Sequence, residues 1–409
     1  PWPEDEHDEG GNVLDNDRLK ALVDETEAAM IGWKDLFHQN PEISLREEHT
    51  SGKIVEIIEE LGLSWERVGE YGIITYLPGK KPGKTVVLRA DVDALPVDES
   101  EMNLKGRKKC CSLKKSVSHA CGHDAHMAMM LGAMRVLYQI REELEGNVIF
   151  AFEQAEEVGK GIDPMMAALE KYAIDTCFGI HVFAELEEGK ISVQSGPRMA
   201  ALTAFTVKVI GKGGHASRPD LTVNPLMCAA NILVNLNTIW SQELDSTKVV
   251  TLGIAMMHCG EKGNVVADFA EFSGSLRYTD VEEGKKAFQA VQRVCEHVAK
   301  ANRCSVEYPK IFESPHLVFN DSRCSKIAED GIAEIWGRDH LAKCPVWFAS
   351  ESMSLYQEKY PGVFAFLGIK NEEEGYGAAH HTKEFDMKES VLKYGTLSAV
   401  KYTLDFLKQ

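Results

Sequence analysis

The stretch from Asn147 to Val182, "NVIFAFEQAEEVGKGIDPMMAALEKYAIDTCFGIHV", decides the fold. Two short apolar runs, 147–152 and 175–182, read as buried strands, and the helical "PMMAALEKY" lies between them. Strand, helix, strand in alternation implies a largely parallel sheet, in which ligands gather beyond the carboxyl ends of the strands. Titratable residues stand at those ends: Glu153, Glu156 and Glu157 in "EQAEEVG", and His181 in "GIHV".

The same pattern extends in both directions. Upstream, "KTVVLRADVDALP" reads as a strand at 85–89 running into an acidic turn at Asp91 and Asp93, and helices at 16–37 and 51–61 open the chain. A polar insert at 98–118, carrying Lys105, Arg107, Lys108, Lys109, Lys114 and Lys115, reads as a loop, and a helix is expected over 124–144. After "SGPRM" the order changes to strand 205–210, helix 224–240, strands 249–257 and 270–278, helix 281–300 and strand 305–308. That βαββαβ order is ferredoxin-like and self-contained. A helix in "SRCSKIAEDGIAEIW", a strand in "GVFAFLGI" and a closing helix at 388–407 return the chain to the first pattern. The expected organisation is a disordered acidic lead at 1–15, one α/β domain built from 16–197 and 310–409, and an inserted domain at 198–309.

Composition narrows the function. The 409 residues carry 45 basic and 63 acidic side chains, a net charge of −18. That balance argues against nucleic acid or an anionic membrane as partner and favours a small molecule. No apolar run approaches the ~18 residues of a membrane span. The ten cysteines lack regular spacing, which suits reduced thiols, and the acidic start has no secretory pattern, so a cytoplasmic location is expected.

In "HACGHDAHMAMM" (119–130), Cys121 and His123 flank a glycine, close enough for one turn to aim both at one metal or at two neighbouring ones. Taken alone, the motif is better served by a buried cysteine beside a helix-capping Asp124. The adjacent Glu156 and Glu157 repel unless a cation or a proton intervenes, so one could ligate while the other acts as a base. With His181, and with His380 and His381 in "GAAHHTKEF", nitrogen, sulfur and carboxylate donors recur at successive strand ends. Such a set suits zinc, manganese or cobalt better than magnesium or calcium. In the inserted domain, His215, Asn264 and Arg277 are donors suited to a carboxylate and a developing oxyanion.

These motifs, taken in order from about Ala21 to Leu407, resemble the M20 metallopeptidase family, and within it the N-acyl-amino-acid amidohydrolases that include hippurate and auxin-conjugate hydrolases. The resemblance implies a di-metal catalytic domain interrupted by a dimerisation domain, hence a homodimer with two divalent transition-metal ions, zinc or manganese. It implies Cys121, His123, Glu157, His181 and His381 as ligands, with Cys121 bridging. His381 is favoured over His380 because it lies four before Phe385, although the usual intervening proline is replaced. Glu156 falls at the general base, Asp93 and His215 join it as catalytic residues, and Asn264 and Arg277 correspond to substrate contacts. Asp91 stands where other branches of the family place a ligand histidine. The implied reaction is hydrolysis of an N-acyl amino acid by a metal-bridging water that Glu156 deprotonates. The alternatives are a dipeptidase or carboxypeptidase of the same family, and a catalytically silent metal-binding dimer.

Overall fold

A computed structural model describes residues 15–409. The acidic lead expected at 1–15 lies, but for Asp15, outside the described residues. The chain divides into two compact units. The first comprises the described residues up to Gly196 together with Asn320–Cys344 and Leu355–Gln409; the second comprises Pro197–Phe319 and Pro345–Ser354.

The first unit is built on a seven-stranded sheet, in the order Trp65–Val68, Gly72–Pro78, Glu145–Glu153, Lys81–Asp91, Thr176–Glu187, Gly362–Lys370, Ile191–Ser192. The four strands from Glu145–Glu153 to Gly362–Lys370 run parallel, and the outer three pair antiparallel. Continuous apolar runs make this possible: Val86–Leu88, Val148–Phe152 and Val363–Leu367 are buried on both faces of the sheet. Helices Asn16–Gln39, His123–Gln139, Ser322–Ile335 and Leu392–Leu407 contribute Leu19, Val23, Met30, Leu131, Met134, Ile332 and Val400 to the same core.

Several expected boundaries move. The hairpin of Trp65–Val68 and Gly72–Pro78 adds to the expected elements: its first strand, "WERV", is too polar to register as an apolar run, while its second, "GIITYLP", is an apolar run that the sequence reading passed over. The helix expected to reach 144 ends at Gln139, and the closing helix begins at Leu392 after a short turn. The last strand of the second unit continues from Ser305 to Ser314, and 345–354 also belongs to that unit. Backbone hydrogen bonds explain the latter assignment: Trp347 N–H donates to the Arg198 carbonyl at 2.9 Å and Ala200 N–H to the Trp347 carbonyl at 3.2 Å.

The second unit carries a four-stranded antiparallel sheet in the order Val250–Cys259, Phe269–Tyr278, Ala201–Ile210, Ser305–Ser314. Alternation along Ala201–Ile210 turns Phe205, Val207 and Val209 inward, where they pack with Ile232 and Leu236 of helix Pro225–Gln242 and Val291 of helix Val281–Ala301. No described helix is long and apolar enough to cross a membrane.

A buried polar network in the first unit ties its elements together. His38, in the opening helix, places Nδ1 2.7 Å from Asp124 Oδ2 and Nε2 2.9 Å from Glu99 Oε1. Lys108 Nζ donates to the same Glu99 oxygen at 2.9 Å and to the Lys383 carbonyl at 3.1 Å. The basic insert is therefore anchored at its centre. Burial opposes the charge on His38, but Asp124 and Glu99 overcome it and raise its pKa to about 9. The folded pKa exceeds the ordinary value of about 6.5, so the stabilisation is complete below pH ~6.5 and is lost as pH rises through 9. Denaturant unfolding between pH 6 and 9.5 should show a loss, of at most about 3 kcal/mol, that is absent from His38→Gln. Equal pH slopes for the two proteins would contradict this assignment.

Candidate metal centre

The turn before helix His123–Gln139 depends on Gly122. Its φ of 96° is left-handed, and an added Cβ would lie 2.3 Å from Val182 Cγ2. Only glycine lets the chain pass this close to the strand carrying His181. Cys121 Sγ thereby comes to 3.6 Å from His181 Nε2 and 3.3 Å from His381 Nε2. The His381 backbone, at φ 63°, donates its N–H to the Ala120 carbonyl at 2.9 Å, which holds that loop against the same turn.

Glu156 and Glu157 occupy a single short turn, Glu156–Val158, after strand Glu145–Glu153. Glu157 Oε1 lies 3.5 Å from His381 Nε2 and 3.7 Å from His123 Nε2. Asp93, fully buried, is the organiser here: its Oδ2 accepts from Ser44 Oγ at 2.7 Å and from Glu157 N–H at 3.1 Å, and its carbonyl is 2.8 Å from His123 Nδ1. His181 Nδ1 likewise lies 2.6 Å from the Val182 carbonyl. Both rings donate through Nδ1 to a backbone carbonyl, so their Nε2 lone pairs face the cluster, the tautomer a metal ligand needs.

The donor set fits a metal. Tetrahedral coordination at about 2.0–2.3 Å spaces neighbouring donors by roughly 3.3–3.7 Å, and the separations of 3.3, 3.5, 3.6 and 3.7 Å between these donors fall in that range. His123 Nε2 and Glu157 Oε1 are buried without a hydrogen-bond partner, which a cation between them would remedy. Burial pushes the Cys121 thiol well up, so its thiolate form also calls for a cation. Burial, with His126 and His380 adding to it, holds His181 well below the usual range and hence neutral. Cys121 is shared by two donor groups, Cys121–His123–His181 and Cys121–Glu157–His381, while Glu156 joins His123 and Glu157 in a third.

His380 adjoins the cluster, its ring centroid 5.3 Å from that of His181, but it belongs to none of these donor groups. Its Nε2 accepts from Ala184 N–H at 3.2 Å, and its ring packs against Phe183 and Phe385. In the second unit, His215 sits on a two-residue strand opposite Val265, exposed, with Nδ1 2.8 Å from Ser217 Oγ. The Asn264 carbonyl accepts from Ala216 N–H at 3.0 Å, so His215 and Asn264 share one ribbon. Arg277, on strand Phe269–Tyr278, donates to Ser350 Oγ at 2.7 Å, and no hydrogen bond or ion pair among the described residues joins it to His215 or Asn264.

Sequence reading missed the supports beneath the cluster. Arg89 is buried between two carboxylates, 2.8 Å from Asp91 Oδ2 and 2.9 Å from Glu153 Oε2. Asp91 Oδ1 is 2.7 Å from His126 Nδ1, and His126 Nε2 accepts from Val182 N–H at 3.0 Å. A charged residue inside an apolar strand, and a histidine three after His123 on its helix, were the available signals. Replacing Gly122 by alanine should cost roughly 2 kcal/mol or more of stability, from overpacking and left-handed strain. It should also lower the metal content of the purified protein; unchanged unfolding and full metal occupancy would show that the Gly122–Val182 approach is not limiting.

Comparison with known proteins agrees with this geometry. Residues 87–404 match Peptidase family M20/M25/M40. "Thermostable carboxypeptidase 2" of Saccharolobus solfataricus is 31% identical over 395 residues, covering 95% of this chain and 98% of that protein. "IAA-amino acid hydrolase ILR1-like 4" of Arabidopsis thaliana is 31% identical over 373 residues, covering 90% and 83%. The crystal structure of a dinuclear metal-binding peptidase of the M20 family from Bacillus subtilis superposes with a TM-score of 0.81 at 27% identity, covering 94% of this chain and 99% of that one. The chain is a metal-dependent hydrolase and belongs to peptidase family M20/M25/M40.

Proposed function

We propose that this enzyme hydrolyses the amide bond of N-acyl amino acids, releasing a carboxylic acid and a free amino acid. The observation that carries the reading is the paired turn of Glu156 and Glu157, two half-buried carboxylates beside His123, of which Glu157 also shares a donor group with Cys121 and His381. Cys121, His123, Glu157, His181 and His381 would hold two divalent ions, zinc or manganese, with Cys121 between them. When bound, such ions lower the pKa of water and polarise a carbonyl. Glu156 takes the proton from the attacking water and later delivers it to the leaving amine. Asp93 acts with it by fixing the Glu157 backbone and the His123 ring.

The substrate's carboxylate is assigned to Arg277 and Asn264, and the developing oxyanion to His215. Arg277 supplies the planar fork that matches a carboxylate. The second unit is read as the inserted domain, ferredoxin-like in strand order, through which two copies pair. Ten free cysteines accord with a cytoplasmic setting. The likeness to an IAA-amino acid hydrolase supports a capped amino acid as substrate, and the likeness to a carboxypeptidase favours a second reading, cleavage of peptides.

N-acetyl, N-benzoyl and indole-acyl amino acids should be cleaved faster than dipeptides with a free amino group. The reverse order would favour the peptidase reading. Glu156→Gln should retain the metal content of the wild type and lose turnover by about 10²- to 10⁴-fold. Near-full activity in that variant would remove Glu156 from the role of base, and metal binding without cleavage of either substrate class would favour a silent binding protein.

A further inference from the structure

Glu47 is fully buried, belongs to no group of potential metal donors, and none of the roles above uses it. It directly precedes helix Glu48–Glu60, and its carbonyl accepts the Ser51 N–H at 2.8 Å. Its side chain does something else. Oε1 accepts the backbone N–H of Ala155 at 2.7 Å across 108 residues of sequence, and Oε2 is buried without a hydrogen-bond partner.

Ala155 is the residue immediately before Glu156, and it is itself unusual. Its φ of 51° and ψ of 41° are left-handed, a conformation costing a non-glycine residue about 1–2 kcal/mol. The chain must take this conformation to leave strand Glu145–Glu153 and enter the turn Glu156–Val158. Two buried carboxylates hold that turn by its backbone. Glu47 captures the N–H before Glu156, and Asp93 Oδ2 captures the N–H after it, at 3.1 Å. The loop that bears Glu47 is fixed in turn, since Ser44 Oγ donates to the same Asp93 oxygen at 2.7 Å and Ala94 N–H donates to the Glu42 carbonyl at 2.7 Å. A buried carboxylate with one oxygen unpaired is a poor device for stability alone. We propose that Glu47 is a positioning residue for Glu156, locking the left-handed bend at Ala155 that presents the base.

This inference rests on the reading of Glu156 as general base, and the test separates the two. Glu47→Gln keeps an acceptor oxygen at the same reach, whereas Glu47→Met keeps length and removes it. Turnover, KM for an N-acyl amino acid and metal content are measured for both, alone and combined with Glu156→Gln. Glu47→Gln should stay within about 3-fold of wild-type kcat, while Glu47→Met should lose about 10- to 100-fold in kcat with KM and metal content unchanged. In the Glu156→Gln background, Glu47→Met should cost nothing further, because its effect runs through the absent base. If Glu47→Met does not fold, Glu47→Asp withdraws the acceptor by one methylene and is read in the same way. Unchanged kcat, a loss of metal that matches the loss of kcat, or a full additional loss in the double variant would each overturn the proposal. Near-wild-type activity of Glu156→Gln alone would instead overturn the assignment of the base, and the positioning role with it.

Discussion

The constraint on which the rest depends is the burial of like charge. Asp91, Asp93, Asp124 and Glu153 are all fully buried in one unit, near the carboxyl ends of its parallel strands or the start of the helix bearing His123. Carboxylates in such surroundings must each find a cation or a set of hydrogen-bond donors. The fold supplies them individually: Arg89 for Asp91 and Glu153, His38 for Asp124, and Ser44 with the Glu157 backbone for Asp93. Among the buried polar atoms that find no hydrogen-bond partner in the described residues are His123 Nε2 and Glu157 Oε1, with Cys121 beside them.

Much of this was legible in the sequence for physical reasons. Apolar runs such as "NVIFAF" and "GVFAFLGI" can only be two-sided buried strands, so the parallel sheet and the clustering of donors at its ends followed directly. The glycine between Cys121 and His123 was equally informative, because the close approach to Val182 admits no other residue. The supports were less legible. Glu47 and Ala155 are 108 residues apart, and neither identity hints that one caps the backbone of the other. Lys108 read as one cation among several in a polar loop, yet it is buried against Glu99. The strand "WERV" escaped notice because an edge strand needs little apolar surface to pair. Periodicity reports burial of elements and is silent on side chains that act across long loops.

The division of labour within the site follows from how each group is held. Groups that would hold ions are fixed by backbone contacts: His123 by the Asp93 carbonyl, His181 by the Val182 carbonyl and His381 by its own N–H to Ala120. Fixed donors do not have to reorganise when the reaction's charge develops, which is the source of electrostatic preorganisation. The bend that carries Glu156, the proposed base, is held by Glu47 and Asp93. Proton transfer beside a metal centre requires a carboxylate held within reach of the water.

On the proposed reading, Cys121 would be a ligand to both metal ions. The most direct measurement is anomalous diffraction from crystals of the zinc- or manganese-loaded protein, combined with metal analysis. Two ions per chain are expected, both within bonding distance of Cys121 Sγ, one beside His123 and His181 and the other beside Glu157 and His381. A single ion, or two ions neither of which contacts Cys121, would contradict it.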